Sequence, residues 1–287
     1  MPEDSTQPCV FQWKDVRKEF PGVIALNGVS IDLFAGQVHA IVGENGAGKS
    51  TLIKLAAGVY QPDGGSVELN NQQSIQNPVA AYQQGIVTVF QEAELFDLLS
   101  VAENMALLKG LPCNRVGMVD WQKINQSSLR QLQNLPEELD LTVSAAQLSV
   151  AQRQMLQVAA AVSEEAKVLI LDEPTSALSV KESDWLFEQI KMLRSQGCAI
   201  VYISHRQNEI FELADMISVL RDGELIWTKE RSEVTPSSLV TAMVGRPVDI
   251  ESDRELHEPT KDAVFAAHQI SDEQTVSDIN LVINGGE

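Results

Sequence analysis

The sequence predicts an α/β protein built on a mostly parallel sheet, with a block of helices inserted into it. Three observations carry that prediction. Short apolar, β-branched runs alternate with segments of helical composition, as in strand–helix–strand units. One such run, Gln37–Val42, passes straight into a glycine-rich turn, Gly43–Thr51. Between about Glu92 and Glu164 the β-branched runs give way to Leu, Ala, Gln and Met, which favour helices.

The elements follow in order. Val10–Val16 and Val29–Leu33 read as strands, broken at Pro21-Gly22. Gln37–Val42 is mostly apolar and partly β-branched, as suits a strand covered on both faces. Lys49–Ala57 has helical composition and stops at Gly58. Pro62-Asp63-Gly64-Gly65 is a turn, ahead of a short strand at Ser66–Leu69, and Gly85–Phe90 is a further strand. In the helical block, Ser100-Val-Ala-Glu103 is a capping box that opens a helix fading at Gly110. Trp121–Leu135 is a second helix, ended at Pro136, and Ala151–Ser163 a third. The core resumes with the buried strand Lys167–Leu171. Ser179-Val-Lys-Glu182 is another capping box, and its helix places Trp185, Ile190 and Leu193 at helical spacing. Ala199–Ile203 is strand, Gln207–Leu213 helix, and Ile217–Leu220 with Leu225–Thr228 a hairpin around Asp222-Gly223.

Residues 1–246 are therefore expected to form one domain, with its helical insert at about 92–164. Residues 247–262 are charged, poor in apolar residues and punctuated by proline, the composition of a linker. Ala263–Ile270 opens a new strand. Leu26–Gln37 lines up with Val276–Glu287 in its apolar positions and closing glycine, an internal repeat. Residues 263–287 are expected to be the first strands of a second, truncated copy of the domain.

Composition bounds the function. With 40 acidic against 21 basic residues the net charge is −19. That opposes nucleic-acid binding, which needs a basic footprint, and docking on anionic lipid by charge alone. Cys9, Cys113 and Cys198 are odd in number and widely spaced, which suggests free thiols in a reducing compartment. The opening residues are acidic and polar, unlike a secretory signal. No run is long and apolar enough for a membrane-spanning helix.

The chemistry lies in two segments. GENGAGKST, comprising Gly43, Glu44, Asn45, Gly46, Ala47, Gly48, Lys49, Ser50 and Thr51, fits the phosphate loop. Its glycines let backbone amides converge on phosphates. The helix that begins near Lys49 adds its positive end. Lys49 reaches the outer phosphates, and the Ser50 hydroxyl ligates magnesium. VLILDE, Val168–Glu173, is an apolar run ending in two acids. Asp172 is placed to hold hydrated magnesium, and Glu173 to accept a proton from attacking water. Alone, such an acid pair is a solvated strand end; beside a phosphate loop it completes a site for a nucleoside triphosphate and its metal.

With both segments present, the chain resembles the ATP-binding cassette (ABC) ATPases, and five further motifs fit in that family's order. Phe20 falls where the family stacks an aromatic ring on adenine; the lesser alternative is a core residue near a turn. Gln91, in Val-Phe-Gln-Glu, falls at the glutamine that touches magnesium and water. Leu148-Ser-Val-Ala-Gln152 falls at the signature motif, with Ser149 as a helix cap and Ser149 and Gln152 as contacts to ATP. Ser176-Ala-Leu-Ser179 resembles the loop that communicates across a dimer. His205 matches the switch histidine, although a lone histidine after a strand is ordinarily structural. Two positions depart from the family pattern: Ala151 stands where glycine is usual, and Ser179 where aspartate is common. Both bear on the efficiency of hydrolysis.

The resemblance implies a P-loop NTPase (RecA-like) core with an antiparallel β subdomain and an inserted α-helical subdomain. It implies ATP and Mg2+ as ligands, with Glu173, His205 and Gln91 catalytic and Ser50, Gln91 and Asp172 on the metal. It also implies an active site shared between two cassettes, the signature serving the opposite half-site. Phe20-Pro-Gly-Val-Ile-Ala-Leu, Ala35-Gly-Gln-Val-His-Ala40, Ile203-Ser-His-Arg…Glu209-Ile-Phe and Ala242-Met-Val-Gly-Arg246 are similar to ATPases of bacterial monosaccharide importers of the ribose, galactose, arabinose and xylose types. The partners implied are permease subunits, a second cassette or a second copy of the chain, and indirectly a sugar-binding protein. The location implied is cytoplasmic, peripheral on the inner face of the membrane through the permease. The fragment is expected to bind ATP and hydrolyse it poorly unless it homodimerises. Two alternatives stay open at this point: a non-transport ABC ATPase, and an ATP-binding remnant with little hydrolytic activity.

Overall fold

A computed structural model describes residues 9–70, 72–73, 75–91, 95–109, 112–113, 117–133, 135–162, 166–246, 262–271 and 277–285. The predicted linker up to residue 261, and Val276, Gly286 and Glu287 of the predicted repeat, lie outside them.

Strands β1 (Cys9–Phe20) and β2 (Val23–Phe34) run past the predicted bounds and meet at Pro21-Gly22 as an antiparallel hairpin. β3 (Val38–Val42) is buried at all five positions and leads into α1 (Lys49–Ala56). β4 (Gly64–Leu69) pairs with β1 and with the two-residue β5 (Gln72–Gln73). A helix absent from the prediction, α2 (Pro78–Gln83), follows; the Asn77 side chain caps it and Pro78 opens it, the usual start signals. Next come β6 (Ile86–Val89), α3 (Val101–Lys109), α4 (Trp121–Leu132) and α5 (Val150–Val162). The chain then alternates through β7 (Val168–Asp172), α6 (Val180–Ser195), β8 (Ala199–Ile203), α7 (Gln207–Leu213) and β9 (Met216–Arg221). β10 (Glu224–Glu230) returns from β9, and α8 (Pro236–Val244) ends at Gly245, in the left-handed conformation.

Two sheets result. One is antiparallel, in the order β2-β1-β4-β5. The other has the order β10-β9-β3-β8-β7-β6 and is parallel except for β10 at its edge. The predicted α/β class holds, and so does the antiparallel β subdomain that the resemblance implied.

Side chains of successive strand residues point to opposite faces, and the core divides accordingly. Val168 and Ile170 of β7, with Val201 and Ile203 of β8, join α1 and the antiparallel sheet in one buried cluster. Within it Trp13 is fully buried and donates its indole N–H to the Leu52 carbonyl at 3.1 Å, tying β1 to α1. Leu169, Leu171, Ile200 and Tyr202 face the other way, against Met155 and Val158 of α5 and Leu186 and Ile190 of α6. α5 has a second apolar face: Leu156, Ala159 and Ala160 pack with Val101 and Met105 of α3 and Leu132 of α4.

The chain divides into two compact units, Met1–Pro247 and Val248–Glu287. The second carries β11 (Ala263–Ile270) and β12 (Ile279–Asn284), an antiparallel pair. Cys9, Cys113 and Cys198 form no disulfide.

Candidate nucleotide site

The site is assembled where β3 and β7 end. β3 lies between β8 and β9, so its last residue delivers Gly43 to the edge of a packed sheet. A side chain there has no room: a Cβ on Gly43 would sit 2.3 Å from the Leu220 carbonyl oxygen and 2.9 Å from the Ala47 Cβ. Gly48 has φ +103, and its Cβ would meet the Ala25 carbonyl oxygen at 2.6 Å. Gly46, φ +84, has nothing within 4 Å, so only its backbone conformation calls for glycine. Two of the three glycines are thus demanded by neighbouring chain as well as by room for a ligand.

Gly48 is the N-cap of α1 and offers no capping side chain. The first-turn amides are left for an anion. Lys49 folds back over the loop, its Nζ donating to the carbonyls of Gly43 at 2.8 Å and Glu44 at 3.0 Å. Burial lowers its pKa, and the charges of Glu173 and Asp172 oppose that.

Asp172 ends β7 and is 8% exposed. Burial first, and then the neighbouring Glu173, push its carboxyl up to about 6; Lys49 and Lys54 pull the other way. Glu173 has φ +47, the sparsely populated left-handed region where strain gathers at functional sites. Its amide donates to the Ile203 carbonyl at 2.9 Å. Two other chain segments meet its Oε2: Gln91 donates from Nε2 at 3.2 Å, and His205 Nδ1 lies at 3.4 Å.

These groups line one cleft of about 770 Å³. Of the residues predicted from sequence it brings together Gly43, Glu44, Asn45, Gly46, Gly48, Lys49, Ser50, Thr51, Gln91, Asp172, Glu173 and His205. Ala47 is absent from the lining, because its methyl is buried in the core. Phe20 is not in the lining either. Its ring meets Tyr60 edge-on, centroids 5.4 Å apart, with the Lys18 ammonium 5.6 Å from its centroid. Val23, its partner across the Pro21-Gly22 turn, does line the cleft. Ser149 and Gln152 stand apart from it at the start of α5, where they cap reciprocally. The Ser149 amide donates to Gln152 Oε1 at 2.9 Å, and the Gln152 amide to Ser149 Oγ at 3.2 Å. The Ala151 methyl packs against the buried cluster beneath α5. Ser179 caps α6 in a full capping box with Glu182.

Four lining residues were not assigned to the site from sequence, although each lies in a stretch similar to importer ATPases: Val23, Ala25, Ser204 and Met243. Ser204 adjoins His205 and was within reach of that motif. The others arrive from β2's hairpin and α8, distant in sequence.

The donors beside Lys49 are the Ser50 hydroxyl, the Gln91 amide oxygen and the Asp172 carboxylate, the hard oxygen set that suits magnesium. A dication fits for a further reason. The site disfavours the negative charge of its own Asp172, and a cation relieves that.

A family model described as "ABC transporter" matches residues 26–176. A Burkholderia lata protein named for ribose/galactose/methyl galactoside import ATP binding is 41% identical over 287 residues, 100% of this chain and 54% of the relative. A ribose import ATP-binding protein of Rubrobacter xylanophilus is 41% identical over 279 residues, 97% of this chain and 54% of that protein. The chain spans about half the length of the curated relatives it matches. Among solved structures, the ADP conformation of an ATP-binding cassette of an ABC transporter aligns with TM-score 0.70 at 23% identity, over 83% of this chain and 97% of that one. A dimeric bacterial ABC transporter cassette aligns with TM-score 0.68 at 24% identity, over 77% of this chain and 98% of that one; both likenesses concern the fold.

Proposed function

The chain belongs to the ABC transporter family, and we propose that it binds and hydrolyses ATP to energise import of a monosaccharide through a membrane permease. The observation that carries this reading is the single cleft in which the phosphate loop, Asp172, Glu173, Gln91 and His205 meet. The names of the relatives support a sugar of the ribose or galactose kind as cargo.

Lys49 and the uncapped amides of α1 bind the triphosphate and neutralise part of its charge. Ser50, Asp172 and Gln91 would hold Mg2+, which when bound neutralises charge on the β- and γ-phosphates. Glu173 orients a water and takes its proton. His205, beside the same carboxylate, would donate to the γ-phosphate. Phe20, across the Pro21-Gly22 turn from the lining residue Val23, would stack on the adenine. The start of α5, with Ser149 and Gln152, stands away from this cleft and would complete the half-site of a second cassette or second copy. β11 and β12 are read as opening strands of a further cassette, since their antiparallel pairing resembles that of β1 and β2. The partners are permease subunits and, through them, a sugar-binding protein, with no nucleic acid. Among the described residues no helix is long and apolar enough to cross a membrane; attachment to the membrane's inner face is through the permease.

Lys49→Ala tests the reading. ATP affinity, measured by titration calorimetry, is expected to fall at least about tenfold, the loss of one charge-assisted contact of 1.4 kcal/mol or more. Unchanged affinity would overturn it.

A further inference from the structure

Glu209 is a buried carboxylate that the chemistry above leaves unused. It lies in α7, four residues beyond His205, and is 7% exposed. Its Oε2 accepts from three hydroxyls: Ser204 Oγ at 2.7 Å, Tyr202 OH at 2.8 Å and Thr175 Oγ1 at 2.9 Å. Its Oε1 accepts from Arg206 Nη1 at 3.3 Å. Thr175, Tyr202 and Ser204 are themselves buried. A buried charge persists when it is paired and hydrogen-bonded, and an ionised carboxylate is an acceptor only; here three donors share Oε2 and one meets Oε1. Tyr202 stays a donor: burial first, then the charge of Glu209, push its hydroxyl pKa far up.

The donors come from the two segments that carry the catalytic contact. Thr175 follows Glu173 by two residues. Ser204 directly precedes His205, and Arg206 directly follows it. The Glu173 amide on the Ile203 carbonyl also joins the two strand ends, and the Arg206 amide on Ser204 Oγ at 3.0 Å braces the second segment internally. Glu209 is not explained as a helix cap, since the N-cap Arg206 makes no capping side-chain bond.

We infer that Glu209 is a positioning residue, an anionic hub that holds the Glu173–Thr175 and Ser204–Arg206 segments in register so that the Glu173 carboxylate and the His205 imidazole keep facing each other. Its catalytic consequence rests on the ATPase reading; its structural one does not. Glu209→Gln preserves volume but replaces an acceptor by a donor, and Tyr202→Phe removes one donor while leaving the charge.

Both variants are compared with the parent chain by amide hydrogen exchange and by steady-state hydrolysis of MgATP. Exchange at residues 173–176 and at 204–206 is expected to rise together by about tenfold in Glu209→Gln, with α1 unchanged. kcat is expected to fall about tenfold or more, with KM and nucleotide affinity within about twofold, the signature of misplaced groups rather than lost binding. Tyr202→Phe gives the same pattern at smaller amplitude and carries the test alone if Glu209→Gln does not fold. Faster exchange confined to α7, or spread evenly over the sheet, overturns the inference. So does an unchanged kcat in a parent chain that turns over. A parent chain that neither binds nor hydrolyses ATP overturns the ATPase reading instead, and the exchange pattern still decides the role of Glu209.

Discussion

Gly46 and Gly48 sit two residues apart in one loop, yet their environments differ. A Cβ at Gly48 would strike the Ala25 carbonyl oxygen at 2.6 Å, whereas at Gly46 it would meet nothing within 4 Å. Gly46→Ala therefore bears only left-handed strain, about 1–2 kcal/mol, while Gly48→Ala adds overpacking for a total of about 2–5 kcal/mol. Chemical denaturation of the two variants is expected to rank them in that order; equal losses would contradict the packing. His39 offers a second residue-scale prediction. It is buried in the middle of the parallel sheet, its Nε2 2.8 Å from Ser218 Oγ. Burial lowers its pKa to about 4 from an ordinary 6.5. The unfolded chain therefore takes up the proton first, and stability is lost as pH falls from about 6.5 to about 4. The loss is on the order of 3 kcal/mol. Asp172 contributes the opposite slope between its ordinary pKa and about 6, so the measurement is the difference in pH-dependent stability between the parent chain and His39→Gln. The difference should vanish above pH 7.

At the scale of elements, short sequence signals were legible where they act locally. Ser179 and Glu182 close the predicted capping box, and Ser100 and Glu103 do the same at α3, with the Ser100 amide donating to Glu103 Oε2 at 2.7 Å. Ser179→Ala is expected to cost about 1 kcal/mol, read as a shift in the denaturant midpoint with an unchanged slope. Signals that depend on neighbours were not legible. α2 was missed because six residues of Pro, Val, Ala, Tyr and Gln lack a helical stripe. β1 and β2 reach past the predicted bounds because pairing along the hairpin, Lys18 with Leu26, Glu19 with Ile24 and Phe20 with Val23, holds the residues beside the turn in the ladder.

For the whole molecule, the net charge of −19 makes a polyanionic ligand depend on a local field. Lys49 and the α1 amides supply that field in a chain that otherwise repels phosphate. Binding to the native state alone should stabilise the larger unit by about 2.7 kcal/mol at an ATP concentration one hundredfold above Kd. Thermal unfolding with and without MgATP measures this, and Lys49→Ala, at the same ATP concentration and an about tenfold weaker affinity, should remove about half of the shift or more. A shift of the same size in that variant would place the nucleotide elsewhere.

By itself the sequence determined most of the order of strands and helices, though not β5, α2 or α8, and the phosphate loop and the acid pair, because each is written in contiguous residues whose backbone or side-chain chemistry is local. Tertiary structure alone decided the rest. It put Gln91, Glu173 and His205 around one carboxylate oxygen and turned Ala47 inward to the core. It brought Val23 and Met243 to the cleft and gathered three hydroxyls on Glu209. Apart from the Tyr202 and Ser204 contacts to Glu209, those contacts join residues tens to hundreds of positions apart, and parallel strand order, set by packing on both faces of the sheet, is what brings such residues to the same edge.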